Sequence, residues 1–246
     1  MRAPDLGLVP VRAHGPGGPY VGTRPDGQPS FAREPALDAL LQELHRGFGP
    51  QYWWPAETPF EVIVGAVLTQ NTTWRNAELA LTELRRRAAL TPEALLGLGP
   101  IELGRAIRSS GTYKVKAERL GKVSLWYRAA GGLTALRERP LGPLREELLG
   151  VFGVGPETAD SILCYAAGRR TVVVDTYARR LLGRHGFVPA GVPYEELRRW
   201  LMDRLVDSQW VYEEFHALCV RTGYDHCKPD PRCEACPATT PGSRVG

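Results

Sequence analysis

Apolar residues recur along most of this chain with the spacing of one helix face. Leu37, Leu40, Leu41 and Leu44 stand at i, i+3, i+4 and i+7, and similar stripes run through 59–69, 76–85, 113–127, 144–151, 157–167, 194–206 and 210–220. Glycine and proline interrupt the pattern at 47–50, 97–100, 131–132, 142–143 and 186–193. The β-like run at 172–174 is too short and isolated to build a sheet. The pattern predicts an all-α protein without internal repeats.

One interruption is chemically informative. In LLGVFGVGPETADSILCYAAG, residues 148–168, Gly153 and Gly155 break an apolar helical run and a second helix restarts at Pro156. Glycine reaches backbone angles closed to other residues, and proline suits a first helical position. The hairpin so formed aims free helix-start N–H groups outward, an arrangement suited to a nucleic-acid phosphate. A plain turn between helices reads the same way, so the flanking sequence has to decide.

About 20 residues on comes TVVVDTYARRLL, 171–182. The order of hairpin, GVGPETAD, short apolar run and VVVDTYARR resembles the helix-hairpin-helix (HhH-GPD) DNA glycosylases of the endonuclease III superfamily. WWPAETPFEVIVGAVLTQNTTW (53–74) and SSGTYKVKAERL (109–120) make it most similar to the 3-methyladenine DNA glycosylase III branch, over roughly 37–236. The resemblance implies a helical barrel domain over 57–170 ending in the hairpin. It implies a second domain from 31–56 plus 171–236, with a DNA cleft between the two. Residues 1–30, 12 of them Pro or Gly, and 237–246 read as tails.

It also implies site residues. Asp175 matches the catalytic aspartate, a carboxylate that steadies an oxocarbenium-like sugar as the N-glycosidic bond breaks. From position alone, Asp before TYARRLL reads first as a helix N-cap, and the resemblance reverses that order. Glu157 occupies the place where bifunctional relatives carry a Schiff-base lysine. Such chemistry needs a primary amine, and no lysine lies between Lys122 and Lys228, so base removal without AP-lyase strand cleavage is expected. Glu157 is itself a candidate catalytic-site residue with a role in base recognition, or else a first-turn acid favoured by the helix dipole. Trp53, Trp54, Pro55 and Trp74 match the pocket that holds a flipped, positively charged alkylated purine between π-faces; the alternative is core packing. Gln70 matches the glutamine that fills the gap left by the base. Thr112 stands at the wedge position, where relatives place a bulkier apolar residue. Lys114, Lys116 and Arg119 are candidate phosphate contacts, or else a solvated charged face.

Composition changes the picture in three places. A net charge of +4 and a pI near 8.9 suit a nucleic-acid partner without requiring one. No run of about 18 apolar residues is present, and the N-terminus lacks a secretory pattern, which points to a cytoplasmic protein; a monomer is expected, and double-stranded DNA with damaged bases is the partner that the resemblance implies. Four of five cysteines fall within 219–236, which argues for a metal site in a reducing compartment. Endonuclease III holds a [4Fe–4S] cluster through C-x6-C-x2-C-x5-C; here Cys227-x5-Cys233-x2-Cys236 has no later cysteine, leaving Cys219 as fourth thiolate. A zinc site completed by His216 or His226, or an empty site, are the alternatives. Cys164 reads as a small buried hydrophobe. The expected activity is a monofunctional glycosylase for alkylated purines. Its rivals are a glycosylase for oxidised pyrimidines or mismatched bases, and a silent DNA-binding module.

Overall fold

Capping chemistry at one helix shows how the chain builds the molecule. Thr58 accepts the Glu61 N–H at 3.1 Å while the Glu61 carboxylate accepts the Glu57 N–H at 2.9 Å, and Pro59 opens the helix. That helix, α2 (Pro59–Leu68), follows α1 (Pro35–Phe48) in a computed structural model that describes residues 29–238. Then come α3 (Trp74–Arg86), α4 (Pro92–Gly97), α5 (Gly99–Ala106), α6 (Tyr113–Ala129), α7 (Gly132–Glu138) and α8 (Leu141–Leu149). α9 (Pro156–Ser161) runs on into a π-helical turn (Ile162–Ala166), and α10 (Thr176–Arg184), α11 (Tyr194–Arg204) and α12 (Gln209–Asp225) complete the set. No strand forms among the described residues; Val172, Val173 and Val174 are buried irregular chain.

The helices belong to two units, residues 54–169 and residues up to 53 with those from 170 onward. In the first, α2 is the centre. It is apolar except for Glu61, every residue from Phe60 to Leu68 is buried, and α3, α6 and α9 pack on it. In the second, α12 has that role, flanked by α1 and α10. Gly223 makes the α10–α12 approach possible, because a Cβ there would stand 2.1 Å from Tyr177 Cδ1.

Three short helices, α4, α5 and α7, were not foreseen. Residues 142–143 do not break the chain but sit in the first turn of α8, where a proline lacks no hydrogen bond. The predicted tail at 1–30 lies outside the described residues except for 29–30. The tail predicted from 237 needs correcting at its start: Ala238 is buried and Pro237 packs on Gly47, where a Cβ would meet it at 2.4 Å. Residues 239–246 lie outside the described part.

Candidate functional site

The hairpin forms as its glycines predict. Gly153 takes φ +82°, the Val154 N–H returns to the Val151 carbonyl at 3.0 Å, and Gly155 is the extended N-cap of α9 with Pro156 next. A side chain at 153 has no room, since its Cβ would lie 2.2 Å from Arg119 Cγ. Arg119 therefore covers the hairpin with its stem while its guanidinium donates to Gln70 Oε1 at 2.5 Å. Gln70 Nε2 donates in turn to the Gly153 carbonyl and to Thr158 Oγ1, both at 2.9 Å. Gln70, expected to fill a gap in DNA, is thus held by α6, the hairpin and α9 together. Glu157 is exposed on the first turn of α9.

Lys116 corrects an expectation. It is 1% exposed and donates to the Leu68 and Ser110 carbonyls at 2.8 and 2.6 Å, so it is no phosphate contact. It ties the end of α2 to the turn before Thr112, and burial, with the Arg119 charge nearby, pulls its pKa down to about 8. Lys114 is exposed. Thr112 is exposed in the left-handed region at φ +30°, and Asn71, next to Gln70, is left-handed at φ +49°. A β-branched residue at such an angle is strained, and strain of this kind gathers at functional segments.

The tryptophans separate. Trp54 is 5% exposed, meets Trp74 edge-on at 5.7 Å and Tyr165 at 5.4 Å, and lies over Gly65 of α2. Its ring serves the packing of its unit. Trp74, Pro55 and Trp53 are half-buried, and Tyr52, before Trp53, is exposed and left-handed at φ +49°.

Asp175 begins α10 as an N-cap, its Oδ1 accepting the Ala178 N–H at 2.6 Å. It is nonetheless buried, and its Oδ2 faces His216 Nε2 of α12 at 3.5 Å. Neither His216 nor the Arg119–Gln70 contact was anticipated in these roles; His216 had drawn notice only as a zinc ligand.

The cysteines differ in their surroundings. Cys219 is fully buried in α12, where burial and the Asp175 and Cys227 charges push its thiol well above the usual range. Cys227 is buried, Cys233 exposed and Cys236 half-buried. Among the described residues no three His, Cys, Asp or Glu side chains come together as a metal-ligand set. A four-thiolate cluster needs converging sulfurs, a set that the described residues do not present. Zinc fares no better: His216 faces Asp175, and His226 stacks on Phe48 with ring centroids 5.9 Å apart.

The chain is similar to known proteins. The "putative DNA repair glycosylase" of Methanocaldococcus jannaschii is 39% identical over 193 residues, covering 77% of this chain and 88% of that protein. Endonuclease III of Thermotoga maritima is 33% identical, covering 81% and 89%. Among solved structures, the H. pylori 3-methyladenine DNA glycosylase bound to 1,N6-ethenoadenine matches with a TM-score of 0.67 and 26% identity, covering 77% of this chain and 97% of that one. The family model "HhH-GPD superfamily base excision DNA repair protein" matches residues 64–205, more than half the chain, from α2 through the hairpin and Asp175 to the end of α11. The protein is therefore a DNA glycosylase belonging to the HhH-GPD superfamily of base excision DNA repair proteins.

Proposed function

We propose that this chain is a monofunctional DNA N-glycosylase that extrudes an alkylated purine of the 3-methyladenine type from double-stranded DNA and removes it. The observation that carries the reading is Glu157, an exposed carboxylate on the first turn of α9 where a Schiff base would require an amine. Lys116, within the same unit, is buried and held by two carbonyls. The likeness to the H. pylori 3-methyladenine glycosylase supports the choice of lesion.

In this reading the hairpin at 153–157 anchors a backbone phosphate, and Gln70 and Thr112 act at the lesion. Trp74 holds the flipped base, whose positive charge its face attracts. Asp175 stabilises the cation that develops as the C1′–N bond breaks and its electron pair leaves with the base. An N3-alkylated purine is already cationic, so it departs neutral without a proton donor. Water then bonds to C1′ and passes its proton to Asp175. A [4Fe–4S] cluster has support from the resemblance and the spacing of Cys227, Cys233 and Cys236 alone, and no step uses it.

Base release from duplexes carrying 3-methyladenine, an oxidised pyrimidine or a mismatch, each with borohydride present, tests the proposal. Release of 3-methyladenine without a trapped covalent adduct is expected. A trapped adduct overturns the monofunctional reading, and preferred release of another base overturns the lesion.

A further inference from the structure

Two histidine–carboxylate pairs involve α12, one part-buried and one buried, and they differ in what the carboxylate does. Glu214 accepts His45 Nδ1 at 3.0 Å and also takes the Gln51 N–H with both oxygens, at 3.0 and 3.2 Å. That pair fastens the chain after α1 to α12. Asp175 instead gives one oxygen to the Ala178 N–H at the start of α10 and turns the other toward His216, 3.5 Å away. Both partners are more than nine-tenths buried. The close passage that Gly223 allows for Tyr177 brings the start of α10 against α12.

A carboxylate that stabilises a developing cation works only while its oxygens keep a fixed direction. The last torsion of an aspartate is broad, and a single cap hydrogen bond leaves the second oxygen free to swing. A neutral imidazole has one N–H to give. A contact of 3.5 Å is a long one, and contacts of this kind tighten when an active site closes on its substrate.

We propose that His216 is a positioning residue for the reaction, holding Oδ2 of Asp175 so that the carboxylate plane stays set while Ala178 holds Oδ1. The inference rests on the reading of Asp175 as the group that supports cleavage. His216 acts through Asp175 and touches no substrate.

The test is a double-mutant cycle on the full chain, read by single-turnover base release and separately by affinity for lesion-bearing duplex. His216→Leu is expected to slow release about 10- to 100-fold, the usual cost of losing an orienting partner, with affinity unchanged within about twofold. His216→Gln, whose amide N–H can replace Nε2, is expected to recover much of the rate and carries the test if the leucine variant folds poorly. In an Asp175→Asn background His216→Leu is expected to cost nothing further, because groups acting as one unit are not additive. Equal losses in both backgrounds overturn the proposal, as does a rate loss that follows thermal stability or affinity. If Asp175→Asn loses activity and neither His216 variant does, the pair alone is refuted. A fully active Asp175→Asn refutes the pair and the role of Asp175 together.

Discussion

The hairpin of the first unit and the cysteine segment of the second are both held by arginines, but in opposite senses. Around the hairpin, arginine side chains meet other side chains: Arg119 holds Gln70, and Arg145 of α8 grips Asp160 of α9 at 2.9 and 3.0 Å. The groups in the middle, Gln70 and Asp160, point where the network fixes them. At the cysteine segment, arginines grasp mainly backbone, with Arg184 also donating to Cys227 Sγ at 3.4 Å. Arg180 donates to the Cys227 carbonyl at 2.6 Å, and Arg184 to the carbonyls of Lys228 and Pro229. The segment's course is fixed while its sulfurs face different surroundings, buried, half-buried and exposed. Residue types at family spacing make a site only where side chains converge, and here that distinguishes the hairpin from the cysteines.

The largest expected effect breaks the hairpin side. Arg145→Leu leaves Asp160, which is 0% exposed, without its two-pronged partner, and loss of one member of a buried pair costs about 3–5 kcal/mol. Arg184→Leu, which frees carbonyls of exposed or half-buried residues, is expected to cost about 1 kcal/mol. Thermal unfolding of the two variants decides between them. Similar losses would remove the contrast.

A middle-sized effect sharpens it. Lys116→Met strips two buried carbonyls of their donor, at about 1–3 kcal/mol. Folding holds this lysine near pKa 8 against 10.5 for an ordinary one, so between those values the unfolded chain binds a proton that the folded chain has released. Wild-type stability then rises with pH relative to the variant, and the penalty of Lys116→Met is expected to be larger at pH 10 than at pH 7. Denaturant titrations at both values measure it; a penalty that shrinks with pH contradicts the burial.

Much of this was legible in the sequence. The 3.6-residue stripes located the long helices because apolar faces must be buried, and the hairpin showed because few residues other than glycine fit the backbone angle at 153. α4, α5 and α7 escaped notice because helices of six to eight residues carry too few turns for a stripe to show. Lys116 read as a surface charge because nothing local signals that two distant carbonyls, Leu68 and Ser110, await its ammonium. The contacts of Trp54 and His216 were hidden for the same reason: Tyr165 lies over 100 residues from one, and Asp175 some 40 from the other.

The smallest expected effect concerns Cys219, which spacing alone made the fourth cluster ligand. Its thiol lies inside α12 with 0% exposure, two helical turns before Cys227. To join the loop sulfurs it would have to leave the helix, and Thr222, one turn on, braces that stretch by donating its hydroxyl to the Leu218 carbonyl at 2.6 Å. Burial and the Asp175 carboxylate both oppose the thiolate that ligation requires. Cys219→Ser is therefore expected to hold as much metal per chain as wild type when both are prepared anaerobically. It should lose at most about 1 kcal/mol, since a serine hydroxyl can bond back to a carbonyl of the preceding turn as Thr222 does. Elemental analysis of the two proteins side by side makes the comparison. Metal present in wild type and lost from Cys219→Ser would mean that the end of α12 opens to deliver this sulfur, and the cysteine segment would then converge as the hairpin does.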